Sequence, residues 1–243
     1  MQSVEIRRAV NAQDVAVQAC LEITESIKQL LLNSGVVHVA LTGGTVGIKT
    51  LEALAQDAGF QALDFSRVHF WWGDERYVAE DSVDRNANQA KETMLSKIKV
   101  PAENIHEFPS TDSGLAVADA AVAFNKELSE YFTETKPTMD ITIMGMGPDG
   151  HVASLFPGHS HGIEDVVSES GSPKPPSERL SLSYTMLNRS KKMIFVVSGI
   201  DKAEAVEQVH TNEVCDLPAA KVSATGETIW FIDEAAGAAF WSC

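Results

Sequence analysis

The chain has 243 residues, 44% hydrophobic and 22% charged, enough apolar material for one α/β domain over residues 1–243 with its own core. Its 34 acidic residues against 19 basic ones give a formal net charge of −15, which repels nucleic acid and anionic membranes at long range. Apolar runs such as Met193 to Val197 fall far short of the roughly 20 residues that cross a bilayer, so no membrane partner is expected. The first ten residues mix Glu5, Arg7 and Arg8 with apolar residues and lack a signal-peptide core. The scattered cysteines Cys20, Cys215 and Cys243 suit a reducing cytoplasm, and Cys243 stands last rather than fourth from the end, where prenylation needs it.

In chain order, Asp14 to Leu32 reads as an amphipathic helix, with Val17, Cys20, Leu21, Ile27 and Leu31 at helical spacing. Val36 to Leu41 reads as a strand, followed by a glycine turn and a helix from about Ile48 to Asp57. Val68 to Trp72 is a second strand. Asn86 to Lys97 and Leu115 to Phe132 read as helices, and Met139 to Met144 as a third strand. Met193 to Val197 and Thr228 to Ile232 add two more, separated by a helix from about Lys202 to Val209. Ser168 to Ser177, the low-complexity run SESGSPKPPS, reads as an exposed loop. Short apolar runs alternating with helical stretches predict a doubly wound, mostly parallel sheet with helices on both faces.

Three loops carry chemistry. Thr42-Gly43-Gly44-Thr45-Val46-Gly47 joins a strand to a helix, where backbone N–H groups and the helix N-terminus favour an anion. It is not a Walker loop, since no Gly-Lys-Ser/Thr follows; by itself it also fits a plain tight turn. Trp71-Trp72-Gly73-Asp74-Glu75-Arg76-Tyr77-Val78 places two carboxylates and a guanidinium at a strand's carboxyl end, where open α/β sheets bind ligands. The same three charges also fit a surface salt-bridge cluster. The third loop runs Gly145-Met146-Gly147-Pro148-Asp149-Gly150-His151-Val152-Ala153-Ser154-Leu155-Phe156-Pro157-Gly158-His159. Its glycine spacing matches the dinucleotide fingerprint, but no acidic residue ends a second strand some 20 residues on, and Pro148 removes a backbone donor. What remains is a glycine turn that presents His151 beside Asp149. His159 and His161, flanking Ser160, lack companion ligands, so no metal and no cofactor is expected.

These three loops, in this order and spacing, resemble the glucosamine-6-phosphate isomerase/6-phosphogluconolactonase family, and Ala153-Ser154-Leu155-Phe156-Pro157 follows the lactonase pattern rather than the deaminase one. The likeness extends to Pro176-Ser177-Glu178-Arg179 and Gly199-Ile200-Asp201-Lys202-Ala203. It implies a fold similar to glucosamine-6-phosphate deaminase. It also implies hydrolysis of 6-phospho-D-glucono-1,5-lactone in the oxidative pentose phosphate pathway, by a cytoplasmic monomer or small homo-oligomer. Carried residue by residue, it assigns substrate and phosphate binding to Thr42, Gly43, Gly44, Thr45, Glu75, Arg76, Asn86, Gly147, Arg179 and Lys202. This chain departs from the family at Thr42 and Thr45, which replace serines, at Val46-Gly47, which replace Thr-Pro, and at Arg85, which stands where a serine precedes Asn86.

Lactone hydrolysis needs a deprotonated water, a stabilised oxyanion and a protonated ring oxygen. An imidazole, with an ordinary pKa of about 6.5, suits the base, and His151 takes that role, with Asp74 or Asp149 orienting it. Backbone N–H groups of a glycine loop would hold the oxyanion. No G-x-S-x-G elbow occurs, which favours direct attack by water. The rival readings are an isomerase or deaminase acting on an amino-sugar phosphate, in which Asp74 shuttles a carbon-bound proton, and a non-catalytic sugar-phosphate sensor.

Overall fold

The computed structural model describes residues 3–133, 135–212 and 214–242, so Cys243 lies outside the described residues. The chain opens with a strand, β1 (Ser3–Ala9), and a long helix, α1 (Ala12–Asn33), whose first N–H groups are capped by the Asn11 side chain. β2 (Val37–Leu41) leads into α2 (Thr45–Gln56), a single turn α3 (Ala58–Gln61), and β3 (Val68–Trp72). A three-residue strand β4 (Asp74–Arg76) precedes α4 (Asn86–Thr93) and α5 (Val117–Tyr131). β5 (Ile141–Met144) is followed by β6 (Val166–Glu169), β7 (Arg179–Leu182) and a short α6 (Tyr184–Leu187). β8 (Lys192–Val197), α7 (Ala203–Thr211) and β9 (Glu227–Asp233) complete the order.

Six strands form a wholly parallel sheet in the order β1-β9-β8-β5-β2-β3, with helices on both faces, as the sequence predicts. From β2 the chain crosses to β3 on one side, whereas from β5 it proceeds to β8 on the other. The loops leaving β2 and β5 therefore diverge at their carboxyl ends and open a crevice between them. A second sheet, β4-β7-β6, is antiparallel and carries Asp74 to Arg76 on its edge. In the core Trp71 and Trp72 are buried, and Phe195 stacks on its register partner Trp230 with centroids 3.6 Å apart. Each such side chain contributes about 1.5–3 kcal/mol on burial. No helix among the described residues is long and apolar enough to cross a membrane.

Several elements differ from the sequence reading. α1 buries Val15, Ala16, Ala19, Cys20, Ile23 and Ile27, while Val17 and Leu21 face outward. The stripe against the sheet is built partly of small alanines, which allow close approach. The expected 86–97 helix ends at Thr93 and continues as a 3₁₀ turn over Leu95–Lys97. α2 starts at Thr45 rather than Ile48, because Gly44 at φ +81° supplies the cap position. The expected loop over Ser168 to Ser177 begins as the last two residues of β6.

Candidate active site

The crevice between β2 and β5 contains a cavity of about 540 Å³. The β2–α2 loop forms one wall, with Thr42, Gly43, Gly44 and Thr45 all lining it. Gly44 caps α2 without a side-chain acceptor, so the first N–H groups of the helix are left for a ligand. Gly43 is required by proximity: a methyl there would stand 2.1 Å from the Asn86 Oδ1. Asn86, at the start of α4, donates from Nδ2 to the Asp74 backbone oxygen at 2.9 Å, and it also lines the cavity.

β4 sorts its three charged residues by the alternation of a strand. Asp74 and Arg76 line the cavity, whereas Glu75 points the other way and is 1% exposed. Glu75 is therefore not a cavity residue, contrary to the expectation that it binds substrate. Its Oε1 accepts from the N–H groups of Arg76 (2.8 Å) and Asn86 (2.7 Å), and its Oε2 from Ala87 (2.9 Å). It serves as the N-terminal cap that α4 lacks locally. Burial pushes its carboxyl up to about 7, against the pull of those N–H groups and of Arg85. Arg85 is buried and donates to the Phe108 oxygen at 2.7 Å, away from the cavity.

The β5 loop delivers the imidazole. Gly150 at φ +77° turns the chain, and the His151 Nδ1 lies 2.5 Å from the Asp149 Oδ1. Burial raises the Asp149 carboxyl, but the hydrogen bond and charge of His151 outweigh it and hold the group below its ordinary value. The carboxylate only accepts, so Nδ1 is the ring's donor to Asp149 and Nε2 is the nitrogen left to act as a base. Of the two acids left open by sequence, Asp149 is the one bonded to the ring. Gly147 leaves the space for this pair and lines the cavity with His151, while Phe156 packs on the imidazole with centroids 4.7 Å apart.

Arg179 and Lys202 both reach the cavity. Arg179 is buried and also binds its own loop, donating to the backbone oxygens of Pro176, Lys174 and Pro175. Lys202 Nζ is 2.5 Å from the Asp201 carboxylate. Sequence reasoning missed Lys174, hidden in the low-complexity run, and Asp201, and both line the cavity. Four cationic side chains (Arg76, Lys174, Arg179, Lys202) thus face two carboxylates (Asp74, Asp201) in a protein of net charge −15. His159 lies elsewhere, with Nδ1 2.8 Å from Glu169, and His161 packs edge-on to Tyr184.

A family model described as glucosamine-6-phosphate isomerases/6-phosphogluconolactonase matches residues 10–230. The chain belongs to this family. Among curated members, it is 39% identical over 208 residues to a 6-phosphogluconolactonase of Mycobacterium leprae, covering 82% of this chain and 83% of that protein. The crystal structure of a 6-phosphogluconolactonase from Thermotoga maritima superposes with a TM-score of 0.82 at 27% identity, over 95% of this chain and all of that one. A monomeric glucosamine-6-phosphate deaminase, at 19% identity and a TM-score of 0.78 over 96% of this chain and 99% of its own, shares the fold. In this chain the three sequence loops thus line one cavity, together with Lys174, Arg179, Asp201 and Lys202.

Proposed function

We propose that this chain hydrolyses 6-phospho-D-glucono-1,5-lactone to 6-phospho-D-gluconate, the ring-opening step of the oxidative pentose phosphate pathway, with His151 as general base. The observation that carries the reading is the 2.5 Å His151–Asp149 pair on the wall of a cavity with a cationic lining. The substrate phosphate meets the N–H groups at the start of α2, with Arg76, Arg179 and Lys202 supplying charge. Nε2 of His151 takes a proton from water as its oxygen bonds to C1, and Asp149 stabilises the resulting imidazolium. The carbonyl oxygen becomes an oxyanion held by backbone N–H groups of a glycine loop. The intermediate then collapses: the bond from C1 to the ring oxygen breaks, and the imidazolium returns its proton to that oxygen. Asp74, which also lines the cavity, accepts from the sugar hydroxyls.

The test is a coupled assay on freshly made lactone, with spontaneous opening subtracted at each pH. His151→Gln keeps size and some hydrogen bonding but accepts no proton, so kcat should fall roughly 10²–10⁴-fold. KM should hold, because the phosphate loops are untouched. Wild-type kcat should fall on acidification as the base is protonated, and that limb should vanish in the variant. A variant with wild-type kcat and pH profile removes His151 from the role. Tight binding of 6-phosphogluconate without turnover by the wild type turns the reading into that of a sensor.

A further inference from the structure

Ser154 carries a hydroxyl that the mechanism above does not use. The residue is 1% exposed, and its Oγ donates to the Asp74 Oδ2 at 2.6 Å. A hydrogen bond of that length from a hydroxyl to a buried carboxylate is charge-assisted and among the stronger kinds. The other carboxylate oxygen has a weaker neighbour, the Asn86 Nδ2 at 3.4 Å. Ser154 is itself held in place, since its backbone N–H donates to the Ser181 Oγ at 3.2 Å. Ser181 stands opposite Asp74 in the β4–β7 pairing, so Ser154 bonds to both strands at one register position.

The chain adopts an unusual backbone to put the hydroxyl there. Ala153, between the His151 turn and Ser154, has φ +48°, the one non-glycine residue with positive φ among those described. A left-handed alanine is strained and persists only where surrounding contacts demand it. Ala153 lines the cavity with His151 and Asp74, and directly behind it Ser154 turns inward. The loop that bears the imidazole is thereby tied to the strand that bears Asp74.

We propose that Ser154 is a positioning residue, whose hydroxyl fixes the Asp74 carboxylate against the His151 loop so that its free lone pairs serve the sugar ring. The assignment rests on the lactonase reading, but its first test does not. In protein labelled at the aspartate carboxyl carbons, Ser154→Ala should raise the Asp74 titration midpoint, because a buried carboxylate loses its closest donor. Ser154→Thr, which keeps the hydroxyl, should return it toward the wild-type value. On the lactone, Ser154→Ala should lower kcat about tenfold, the loss of a hydrogen bond to a charged group, with KM little changed. Ser154→Thr should recover part of the rate. A merely structural hydroxyl would lower thermal stability in Ser154→Ala while leaving kcat and KM at their wild-type values, and that result overturns the proposal. If Ser154→Ala does not fold, Ser154→Cys, a weak donor of similar size, takes its place, with the same titration deciding. An Asp74 shift in a protein that never opens the lactone removes the lactonase reading and leaves the Ser154–Asp74 link standing.

Discussion

Gly147→Ala tests the catalytic geometry with a single methyl. An alanine Cβ at this position would stand 2.0 Å from the His151 Nδ1, 2.1 Å from its Cε1 and 2.6 Å from the Asp149 Oδ1. Ordinary contacts between such atoms lie near 3.5 Å, so the ring must retreat by about 1.5 Å or rotate out of its bond with Asp149. The backbone of Gly147 is not left-handed, and the atoms in the way are side-chain tips, so the protein should still fold with an overpacking cost of about 1–3 kcal/mol. A displacement of this size at a reacting group costs on the order of 10² in rate. The coupled lactone assay should therefore show kcat reduced about 10²-fold or more, with KM for the phosphorylated substrate close to wild type. Gly162→Ala, whose methyl meets only Val167 at 3.4 Å, is the matched control and should be nearly silent. Wild-type kcat and pH profile in Gly147→Ala would falsify the placement of the base.

Lys202→Met should raise KM about tenfold or more through the lost charged hydrogen bond, with unphosphorylated gluconolactone a poor substrate for the wild type; equal turnover of both lactones removes the phosphate site. Glu75→Gln, which keeps one acceptor for the N–H groups of Arg76, Asn86 and Ala87, should cost about 1–3 kcal/mol in urea unfolding, and an unchanged midpoint contradicts the capping role. Stability should also fall on acidification: burial pushes His38 and His106 down to about 4 in the fold, against 6.5 when exposed. The unfolded chain then binds more protons between pH 6.5 and 4, so that stability is full above 6.5 and lost as pH falls through this window. Glu75, raised to about 7 by burial, runs the other way between 4.5 and 7, so Glu75→Gln should steepen the acid loss in denaturant melts at pH 5 and 7.5.

The strands of the large sheet were legible where they are apolar on both faces, as in Val68–Trp72 and Lys192–Val197. β1 was not, because an edge strand carrying Glu5, Arg7 and Arg8 has no apolar run to betray it. β4 and β7 are three and four residues of mixed polarity, too short for any period to register. That gap had a consequence for the site. Without β4 as a strand, Asp74, Glu75 and Arg76 read as one charged cluster; with it, alternation turns Glu75 into the fold and leaves the other two at the cavity. The identity of the acid beside His151 was hidden for a related reason, since only the turn at Gly150 brings Asp149 back onto the ring. Lys174 was illegible because its loop has no regular structure, and the carbonyl contacts of Arg179 that shape that loop fall on Lys174, Pro175 and Pro176, a run with no periodicity to mark it.

An acidic protein that binds an anion must reverse its own field over a small volume, and the arrangement here shows how that is done. Backbone N–H groups at the start of α2 carry no formal charge and need no acidic partner to balance them. Three of the four cations at the cavity are anchored by acceptors of the chain itself: Arg76 by the Asp84 oxygen, Arg179 by three loop carbonyls and Lys202 by Asp201. Carbonyl anchors fix a guanidinium without cancelling its charge, whereas Asp201 offsets the charge it holds. The two arginines therefore supply a standing positive potential, and Lys202 supplies one that grows when a phosphate competes with Asp201 for it. The Arg76 anchor comes from the loop between β4 and α4, the Arg179 anchors from the loop before β7 and the Lys202 anchor from the turn before α7, so the potential exists only when three separate segments meet at the cavity. Folding and the cavity's positive potential are in this sense the same event, with the His151 loop held to β4 and β7 through Ser154.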